Sequence, residues 1–309
     1  MSEPLYGSQG AAEKTPLSAP AVASLSEDMA RIQQQHQMLK AVLAIEPALA
    51  SMVFQGHTLA QLATEAGLKL LQRAVEAMDY DAVALNHGIK RLRLDGYAGE
   101  VIWDHPGSPQ TFIESDAVTQ ALEQHAERIR DELLAAVDRT VKFPDSDSLT
   151  NAQGLWSYRS FYDKSGMENR DMHGACPTAA SVIKGLRPNL TFGFAFASVL
   201  NPQTTIAPHK GSTSLRQRYH LGIKIPKDGI SRIRIGRRWT TWKEGKAFGF
   251  NDAIEHEVEH LSNEPRIVLI VDTWAGHVPE SVVIGLQKHP ALLQLAVLRQ
   301  QGTTVAIND

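Results

Sequence analysis

The stretch Arg216-Gln-Arg-Tyr-His-Leu-Gly-Ile-Lys-Ile225 alternates polar and apolar side chains. A period of two is typical of a β-strand with one buried face, and here the odd positions are apolar from Tyr219 onward. Other short apolar runs follow between residues 188 and 275, separated by turn signals such as Asn201-Pro202. Many short strands with such punctuation predict an antiparallel jelly-roll or barrel core over residues 188–275.

Helical patterns precede this β region. Apolar residues at helical spacing predict helices at about residues 27–44, 58–78 and 116–138, and Pro177 to Gly185 predicts a short one. Residues 1–24 lack apolar periodicity and predict a disordered leader. We therefore expect an α+β chain with four parts: the leader (1–24), a helical N-terminal region (25–100), a domain containing the β core (101–285) and a C-terminal tail (286–309).

Composition excludes few classes of function. The chain has 309 residues and a formal net charge of −3, which favours neither nucleic acid nor an anionic membrane as partner. Cys176 is the only cysteine, so no intrachain disulfide is expected. No signal peptide or membrane span is expected, and the predicted location is cytoplasmic. The basic cluster at 232–238 favours a solvated strand edge over a polyanion site.

The strand predicted at residues 216–225 has an inward polar face that carries Arg216, Arg218 and His220. A bound small dianion could partner these charges. His209 and His256 lie on separate strands, and two imidazoles in a barrel suit non-haem iron. The usual carboxylate ligand is missing, because Gly211 follows His209 at its position. From the residues alone, an iron site, a cupin-like binding protein and a buried histidine pair all stay open.

A further candidate is Arg266, which opens an apolar strand. Such an arginine is either a surface residue or a buried clamp for a carboxylate. Asp252 is expected to share a face with His256, since the two lie four positions apart and side chains at even spacing share a face of a strand.

The stretch from Ser198 to Trp274 resembles the aspartyl/asparaginyl β-hydroxylases, a branch of the 2-oxoglutarate/Fe(II) oxygenases. The matching motifs, in the family's order, are Pro208-His-Lys-Gly211, Leu215-Arg-Gln-Arg-Tyr-His-Leu-Gly222, Trp242-Lys-Glu-Gly245, Phe250-Asn-Asp-Ala-Ile-Glu-His-Glu-Val258 and Pro265-Arg-Ile-Val-Leu-Ile-Val-Asp-Thr-Trp274. A weaker likeness extends back to Ile129-Arg-Asp-Glu132, and residues 1–100 lie outside it. In this family glycine occupies the third ligand position, and two histidines and water hold the iron.

The resemblance implies a double-stranded β-helix (jelly-roll, cupin-like) core supported by helices, with residues 101–285 forming the oxygenase domain. It implies a dioxygenase that uses Fe(II), O₂ and 2-oxoglutarate to hydroxylate an unactivated carbon, releasing succinate and CO₂. The implied iron ligands are His209 and His256, and the implied partner of iron-bound water is Asp252. Ser198 and Arg266 would bind the distal carboxylate of 2-oxoglutarate, while Arg218 and His220 would bind its proximal carboxylate.

The chain departs from this family at Phe196, where substrate-gripping members carry a basic residue. Candidate replacements are Arg159, Lys164, Arg170 and Arg216, although a surface role is favoured for each. The expected substrate is an amino-acid-like small molecule or a carrier-bound metabolite, as in the soluble bacterial members. Two alternatives stay open: a lipid acyl-chain hydroxylase with residues 232–238 facing a membrane, and a non-catalytic 2-oxoglutarate- or partner-binding protein. The N-terminal helices are expected to cap the site or to form a homo-oligomer.

Overall fold

Helices precede, interrupt and follow the strands of this protein. The computed structural model describes residues 19–54, 56–76, 103–104, 111–143, 149–162, 166–186, 188–190, 193–211 and 213–289. The helices are α1 (Ala19–Ile45), α2 (Leu59–Leu62), α3 (Glu65–Glu76), α4 (Ala117–Gln124), α5 (Ala126–Ala136), α6 (Arg170–Ala175), α7 (Pro177–Gly185) and α8 (Glu280–Lys288), with 3₁₀ turns at Pro47–Ser51 and Val137–Arg139.

The strands are all paired antiparallel. They are β1 (Val53–Phe54), β2 (His57–Thr58), β3 (Trp103–Asp104), β4 (Phe112–Ile113), β5 (Val141–Lys142), β6 (Trp156–Ser160), β7 (Ala195–Leu200), β8 (Thr204–His209), β9 (Arg216–Lys224), β10 (Ile230–Ile235), β11 (Arg238–Thr241), β12 (Ala247–Phe250), β13 (His256–Leu261) and β14 (Arg266–Trp274). The large sheet has the order β4-β12-β9-β14-β7-β6-β5, the small sheet has the order β11-β10-β13-β8, and β2-β1-β3 form a minor sheet.

The large and small sheets face each other across one hydrophobic core. Phe196 and Ile270 from the large sheet lie in the same buried cluster as Ile206, Ile233 and Val258 from the small sheet. Alternating side chains of two packed antiparallel sheets produce such a core. The core is therefore a double-stranded β-helix of the jelly-roll type, as predicted.

Helices cover the outer face of the large sheet. Leu221 and Leu269, from the apolar face of β9 and from β14, are fully buried in one cluster with Leu122, Ile129 and Ile183 of α4, α5 and α7. The alternation seen in the sequence therefore assigns the two faces of β9 correctly. The odd positions pack against helices, and the even positions point into the barrel.

The observed helices refine the predicted bounds. The helix at Pro177–Gly185 is confirmed. The helix predicted at 116–138 is interrupted at His125, which separates α4 from α5. The helix predicted at 58–78 is interrupted after α2, because the Thr64 hydroxyl accepts a hydrogen bond from Gly67 N–H and starts a new helix. Residues 77–78 lie outside the described residues.

The outer boundaries also differ from the prediction. Helix α1 begins at Ala19, inside the predicted leader (1–24), because alanines at 19, 21 and 23 favour a helix and Pro20 is tolerated in its first turn. Residues 1–18 lie outside the described residues. At the other end, α8 crosses the predicted 285/286 boundary, and Leu286 is fully buried. The division into an N-terminal region (25–100) and an oxygenase domain (101–285) stays a prediction.

The N-terminal helices pack on one end of the barrel. Buried residues of α1 and α3, including Ile32 and Leu71, share a cluster with Leu215, which precedes β9, and with Ala275, which follows β14. Helix α8 completes this cluster through Val282. The N-terminal region thus covers the barrel end where β9 begins and β14 ends. Whether it also forms a homo-oligomer stays a prediction.

Within the described residues, no helix has the length and apolar composition needed to cross a membrane.

The start of α7 depends on a carboxylate from α5. Glu132 accepts hydrogen bonds from the backbone N–H groups of Thr178 and Ala179, at 3.0 and 3.1 Å. Hydrogen bonds to a charged group contribute roughly 1.5–3 kcal/mol, so we expect Glu132→Ala to lower the free energy of unfolding by about that amount. The control is Glu127→Ala, which removes an exposed carboxylate from the same helix. Equal effects of the two substitutions in urea denaturation would contradict this role.

Candidate metal centre

Two histidines meet at one end of the barrel. His209 is the last residue of β8, His256 is the first residue of β13, and the two are directly paired across the strands. Their ring centroids lie 4.2 Å apart. The antiparallel register of β8 and β13 therefore brings together two residues that are far apart in the sequence.

Both imidazoles have the tautomer that a metal requires. His209 Nδ1 donates to the carbonyl of Ala207, and His256 Nδ1 donates to the carbonyl of Ile254, each at 2.8 Å. Because Nδ1 carries the proton, the lone pair of each ring is on Nε2. Burial, and next the neighbouring His209, lower the pKa of His256 to about 3. His256 is therefore a neutral imidazole at physiological pH.

Position 211, where the usual carboxylate ligand would stand, is occupied by a glycine, and the side chain of Asp252 from another segment packs against it. The Gly211 N–H donates to the backbone carbonyl of Asp252 at 2.5 Å. A Cβ atom at position 211 would lie 2.4 Å from Asp252 Oδ2, far inside van der Waals contact. Within the part of the chain that the structure describes, no third His, Cys, Asp or Glu joins the pair as a ligand group. Only a glycine leaves room for Asp252 here.

Asp252 belongs to a buried network of four charges. Arg216 donates to both its oxygens, from Nε at 2.9 Å and from Nη2 at 2.6 Å. Arg218 donates to both oxygens of Asp272, at 2.7 and 2.8 Å, and its Nη1 lies 3.3 Å from Asp252 Oδ2. We call Arg216, Arg218, Asp252 and Asp272 the ion network. Its two positive and two negative charges balance.

The charges in the ion network stabilise one another. Burial alone would raise the pKa of Asp252, but Arg216 and Arg218 outweigh it and hold this pKa below its usual range. Burial alone would lower the pKa of Arg218, but Asp272 and Asp252 outweigh it and raise this pKa. A bound dianion, which the sequence suggested as a possible partner of Arg216 and Arg218, is therefore not needed to balance their charges, because Asp252 and Asp272 supply both carboxylates.

Asp272 was not among the predicted site residues. It pairs directly with Arg218 between β14 and β9, near the end of an apolar strand. A single acidic residue that closes an otherwise apolar run was the available signal. It could be interpreted only with the strand register, which places that residue opposite an inward arginine.

Arg266 lies within the same barrel but has no carboxylate partner among the described residues. It is 2% exposed, and its Nη2 donates to Ser198 Oγ at 3.2 Å. Its guanidinium carbon lies 4.4 Å from the ring centroid of Trp242, while its Nε is buried without a hydrogen-bond partner. Burial lowers the pKa of Arg266 to about 9. Arg266 is therefore buried and not a surface residue, while its role as a clamp for a carboxylate stays a prediction.

His220 presents a second buried donor on the inner face. Trp242 Nε1–H donates to His220 Nδ1 at 3.1 Å, so the proton of the neutral ring is on Nε2. Burial lowers the pKa of His220 well below its ordinary value, and Arg218 and Arg266 lower it further. His220 Nε2 is buried and has no hydrogen-bond partner in the part of the chain that the structure describes. Along β9 and β14, His220 lies between the ion network and Arg266.

Other candidate cations lie elsewhere. Arg159 faces the helices, where it donates to the Ala136 carbonyl at 2.6 Å and to Asp171 at 2.5 Å. Arg170 lies on α6, and Lys164 lies outside the described residues. A substrate contact from Arg159 inside the barrel is therefore excluded.

Three of the four arginines in the basic cluster at 232–238 pair with acidic neighbours. Arg232 pairs with Glu259, Arg234 with Glu255 and Glu257, and Arg238 with Glu114. The predicted reading as a solvated strand edge fits these contacts, and the lipid alternative loses the basic surface on which it depended.

Comparison with known proteins identifies the family. Residues 123–276 match the family model for aspartyl/asparaginyl beta-hydroxylase. The human protein named aspartyl/asparaginyl beta-hydroxylase is 33% identical over 162 residues, which are 51% of this chain and 21% of that protein. Aspartate beta-hydroxylase domain-containing protein 2 of Xenopus tropicalis is 36% identical over 109 residues, 33% of this chain and 29% of that protein. The chain thus spans about a fifth to a third of the length of these relatives.

Solved structures are more distant. A prolyl-4-hydroxylase from Pseudomonas putida gives a TM-score of 0.29 at 10% identity, covering 54% of this chain and 94% of that one. A cupin-2 domain from Rhodospirillum rubrum gives a TM-score of 0.27 at 10% identity, covering 53% and 89%. The strand order of this protein itself identifies the jelly-roll fold. Through the domain that contains residues 123–276, the chain belongs to the aspartyl/asparaginyl β-hydroxylase family.

Proposed function

We propose that this protein binds Fe(II) and 2-oxoglutarate in its barrel and uses O₂ to hydroxylate an unactivated carbon of its substrate. The observation that carries the proposal is the buried guanidinium of Arg266, which has no carboxylate partner among the described residues. A buried unpaired charge is strongly unfavourable, so a folded protein retains one mainly where a ligand supplies the opposite charge.

The histidine pair fits Fe(II). His209 and His256 each direct their Nδ1 proton to a backbone carbonyl, so Nε2 is the atom through which each neutral ring would bind a metal. With two protein ligands, several coordination positions are left for a chelating co-substrate, O₂ and water. We propose that Asp252 orients water at the metal, its carboxylate fixed by Arg216.

The inner face also fits 2-oxoglutarate. Arg266 and Ser198 would bind the distal carboxylate, because this buried arginine lacks a counter-ion among the described residues. His220 would donate Nε2–H to the proximal carboxylate. Arg218, the other predicted partner of that carboxylate, already binds Asp272, so we assign it first to positioning Asp252. Bound Fe(II) and 2-oxoglutarate would supply the chemistry that activates O₂: one oxygen atom would enter succinate, formed from 2-oxoglutarate with loss of CO₂, and the other would enter the substrate.

The substrate we propose is an amino-acid-like small molecule or a carrier-bound metabolite. The names of the relatives refer to aspartyl and asparaginyl residues, which belong to those proteins. The alternative of a non-catalytic 2-oxoglutarate-binding protein would not require the paired Nε2 lone pairs of His209 and His256.

The proposal is tested by incubating the protein with Fe(II), 2-oxoglutarate, ascorbate and a metabolite library. Mass spectrometry should show succinate and one product that has gained a single oxygen atom. Binding of iron and 2-oxoglutarate without any product or succinate would support the non-catalytic alternative instead.

We expect His209→Ala and His256→Ala each to reduce iron binding and 2-oxoglutarate turnover by more than tenfold, because one imidazole alone remains to hold the metal. Iron content after gel filtration and succinate formation measure the two effects. The control is His125→Ala, which changes an exposed histidine between α4 and α5. If either site variant kept more than about a tenth of wild-type turnover, an effect smaller than 1.36 kcal/mol, the ligand assignment would be wrong.

Gly211→Ala should lower iron affinity and stability together. Its Cβ would lie 2.4 Å from Asp252 Oδ2, and that carboxylate cannot move without breaking its two hydrogen bonds to Arg216. Gly211→Asp should be no better, although it restores a carboxylate at the usual ligand position. Gly276→Ala is the matched control, because a Cβ there meets no atom within 4 Å. Tighter iron binding by Gly211→Asp, measured by competition with a chelator, would contradict the assignment of a two-histidine iron site.

Arg266→Lys should raise KM for 2-oxoglutarate about ten- to a hundredfold, since lysine loses the planar two-point contact and charged hydrogen bonds are worth roughly 1.5–3 kcal/mol. Ser198→Ala should act in the same direction but more weakly. Arg238→Lys, at an exposed arginine, is the control. Titration of 2-oxoglutarate at saturating substrate measures the effect. An unchanged KM for 2-oxoglutarate would assign Arg266 to structure or to the substrate.

A further inference from the structure

Four aromatic side chains form a continuous surface at one edge of the large sheet. Phe196 on β7 has ring-centroid distances of 5.6 Å to Phe143, 5.8 Å to Tyr158 and 6.0 Å to Phe194. Trp156 stacks on Phe143 at 3.8 Å and supports it. We call Phe143, Tyr158, Phe194 and Phe196 the aromatic wall. Phe196 lies in the same inner core cluster as Ile270, so this part of the wall faces the barrel interior.

The aromatic wall and the histidine pair lie at the same end of the barrel. Strand β8 returns from β7 through the turn at residues 201–203, so His209, at the end of β8, comes back to the level at which β7 begins. Phe194, just before β7, donates its backbone N–H to Asp272 Oδ2 at 2.8 Å. Asp272 belongs to the ion network that holds Asp252, which in turn contacts Gly211. A short chain of contacts thus joins the wall to the proposed metal site.

The wall changes from exposed to buried along its length. Phe194 is 41% exposed, whereas Phe196 is fully buried. Phe194 is therefore the member of the wall that an apolar group can reach from solvent, and it contacts the buried Phe196 directly. Such a surface binds through shape and dispersion, and through the edge-to-face geometry that Phe194 and Phe196 already adopt at 88°.

Among the described residues, the buried arginines of the inner face offer no unpaired charge to a substrate carboxylate at the aromatic wall. The buried arginines on the inner face are Arg216, Arg218 and Arg266. The first two are neutralised within the ion network, and the third lies at the opposite end of β14, where the proposed function assigns it to 2-oxoglutarate. A substrate anion placed against the wall would lose its hydration without gaining a counter-charge from these residues.

We propose that the aromatic wall is the specificity-determining surface of the site and receives an uncharged, apolar or aromatic group of the substrate. The hydroxylated carbon would then belong to that group or lie beside it, and not next to a free carboxylate. This inference rests on the proposed function and narrows its substrate class.

Two matched probes test the wall: N-acetyl-L-phenylalanine amide and the α-amide of N-acetyl-L-aspartic acid. Equilibrium dialysis against protein loaded with Fe(II) and 2-oxoglutarate without O₂ measures their binding in the absence of turnover. The phenylalanine probe should bind at least about tenfold more tightly, a difference of roughly 1.4 kcal/mol. Phe194→Ala should weaken binding of the phenylalanine probe, and Phe194→Lys should shift the binding preference towards the aspartate probe.

Trp239→Ala serves as the control, because Trp239 on β11 is an aromatic residue of similar exposure (38%) that packs under Arg232. This substitution should leave the affinity for both probes unchanged. The wall assignment would be overturned if the aspartate probe bound as tightly as the phenylalanine probe or more tightly, or if neither probe bound. It would also be overturned if Phe194→Ala left the affinity for the phenylalanine probe unchanged. Binding of iron and 2-oxoglutarate is measured in the same samples. If iron and 2-oxoglutarate bind but the probes do not show the expected preference, only the wall assignment is wrong. If iron and 2-oxoglutarate do not bind, the proposed function is wrong as well.

Discussion

The ion network of Arg216, Arg218, Asp252 and Asp272 fixes the geometry of the barrel end on which the site depends. Removing four charges from water is costly unless each finds a partner, and here every member contacts an opposite charge within 3.3 Å. The network joins β9, β14 and the segment before β13. His256 follows Asp252 in that segment, and the Asp252 carbonyl binds the Gly211 N–H. The positions of both proposed metal ligands therefore depend on it.

Buried arginines in this barrel are of two kinds. Arg216 and Arg218 have counter-ions built into the fold, in Asp252 and Asp272. Arg266 has a serine, a tryptophan ring and no carboxylate among the described residues, and burial lowers its pKa to about 9. This contrast supports the proposal that Arg266, and not Arg216 or Arg218, binds a ligand. The neutral His220, whose buried Nε2–H has no partner among the described residues, supports the same proposal.

Local patterns predicted the elements, while cross-strand contacts set the site. The period of two in β9 assigned both of its faces correctly, and Pro177 with Gly185 located a helix from end residues alone. The partners of the inward arginines depended on the register of β9 against β14, which places Asp272 opposite Arg218 and which periodicity does not encode. The motif resemblance brought His209, His256 and Arg266 together; their roles stay predictions until metal and 2-oxoglutarate binding are measured.

The central claim is that the missing counter-ion of Arg266 is the distal carboxylate of 2-oxoglutarate. Calorimetric titration of Fe(II)-loaded protein without O₂, comparing 2-oxoglutarate with 2-oxobutyrate, tests it most directly, because the second acid keeps the chelating 2-oxo acid but lacks the distal carboxylate. The account predicts that 2-oxobutyrate binds about ten- to a hundredfold more weakly, from the roughly 1.5–3 kcal/mol of a charged hydrogen bond. Equal affinity of the two acids, or no binding of 2-oxoglutarate, would contradict it.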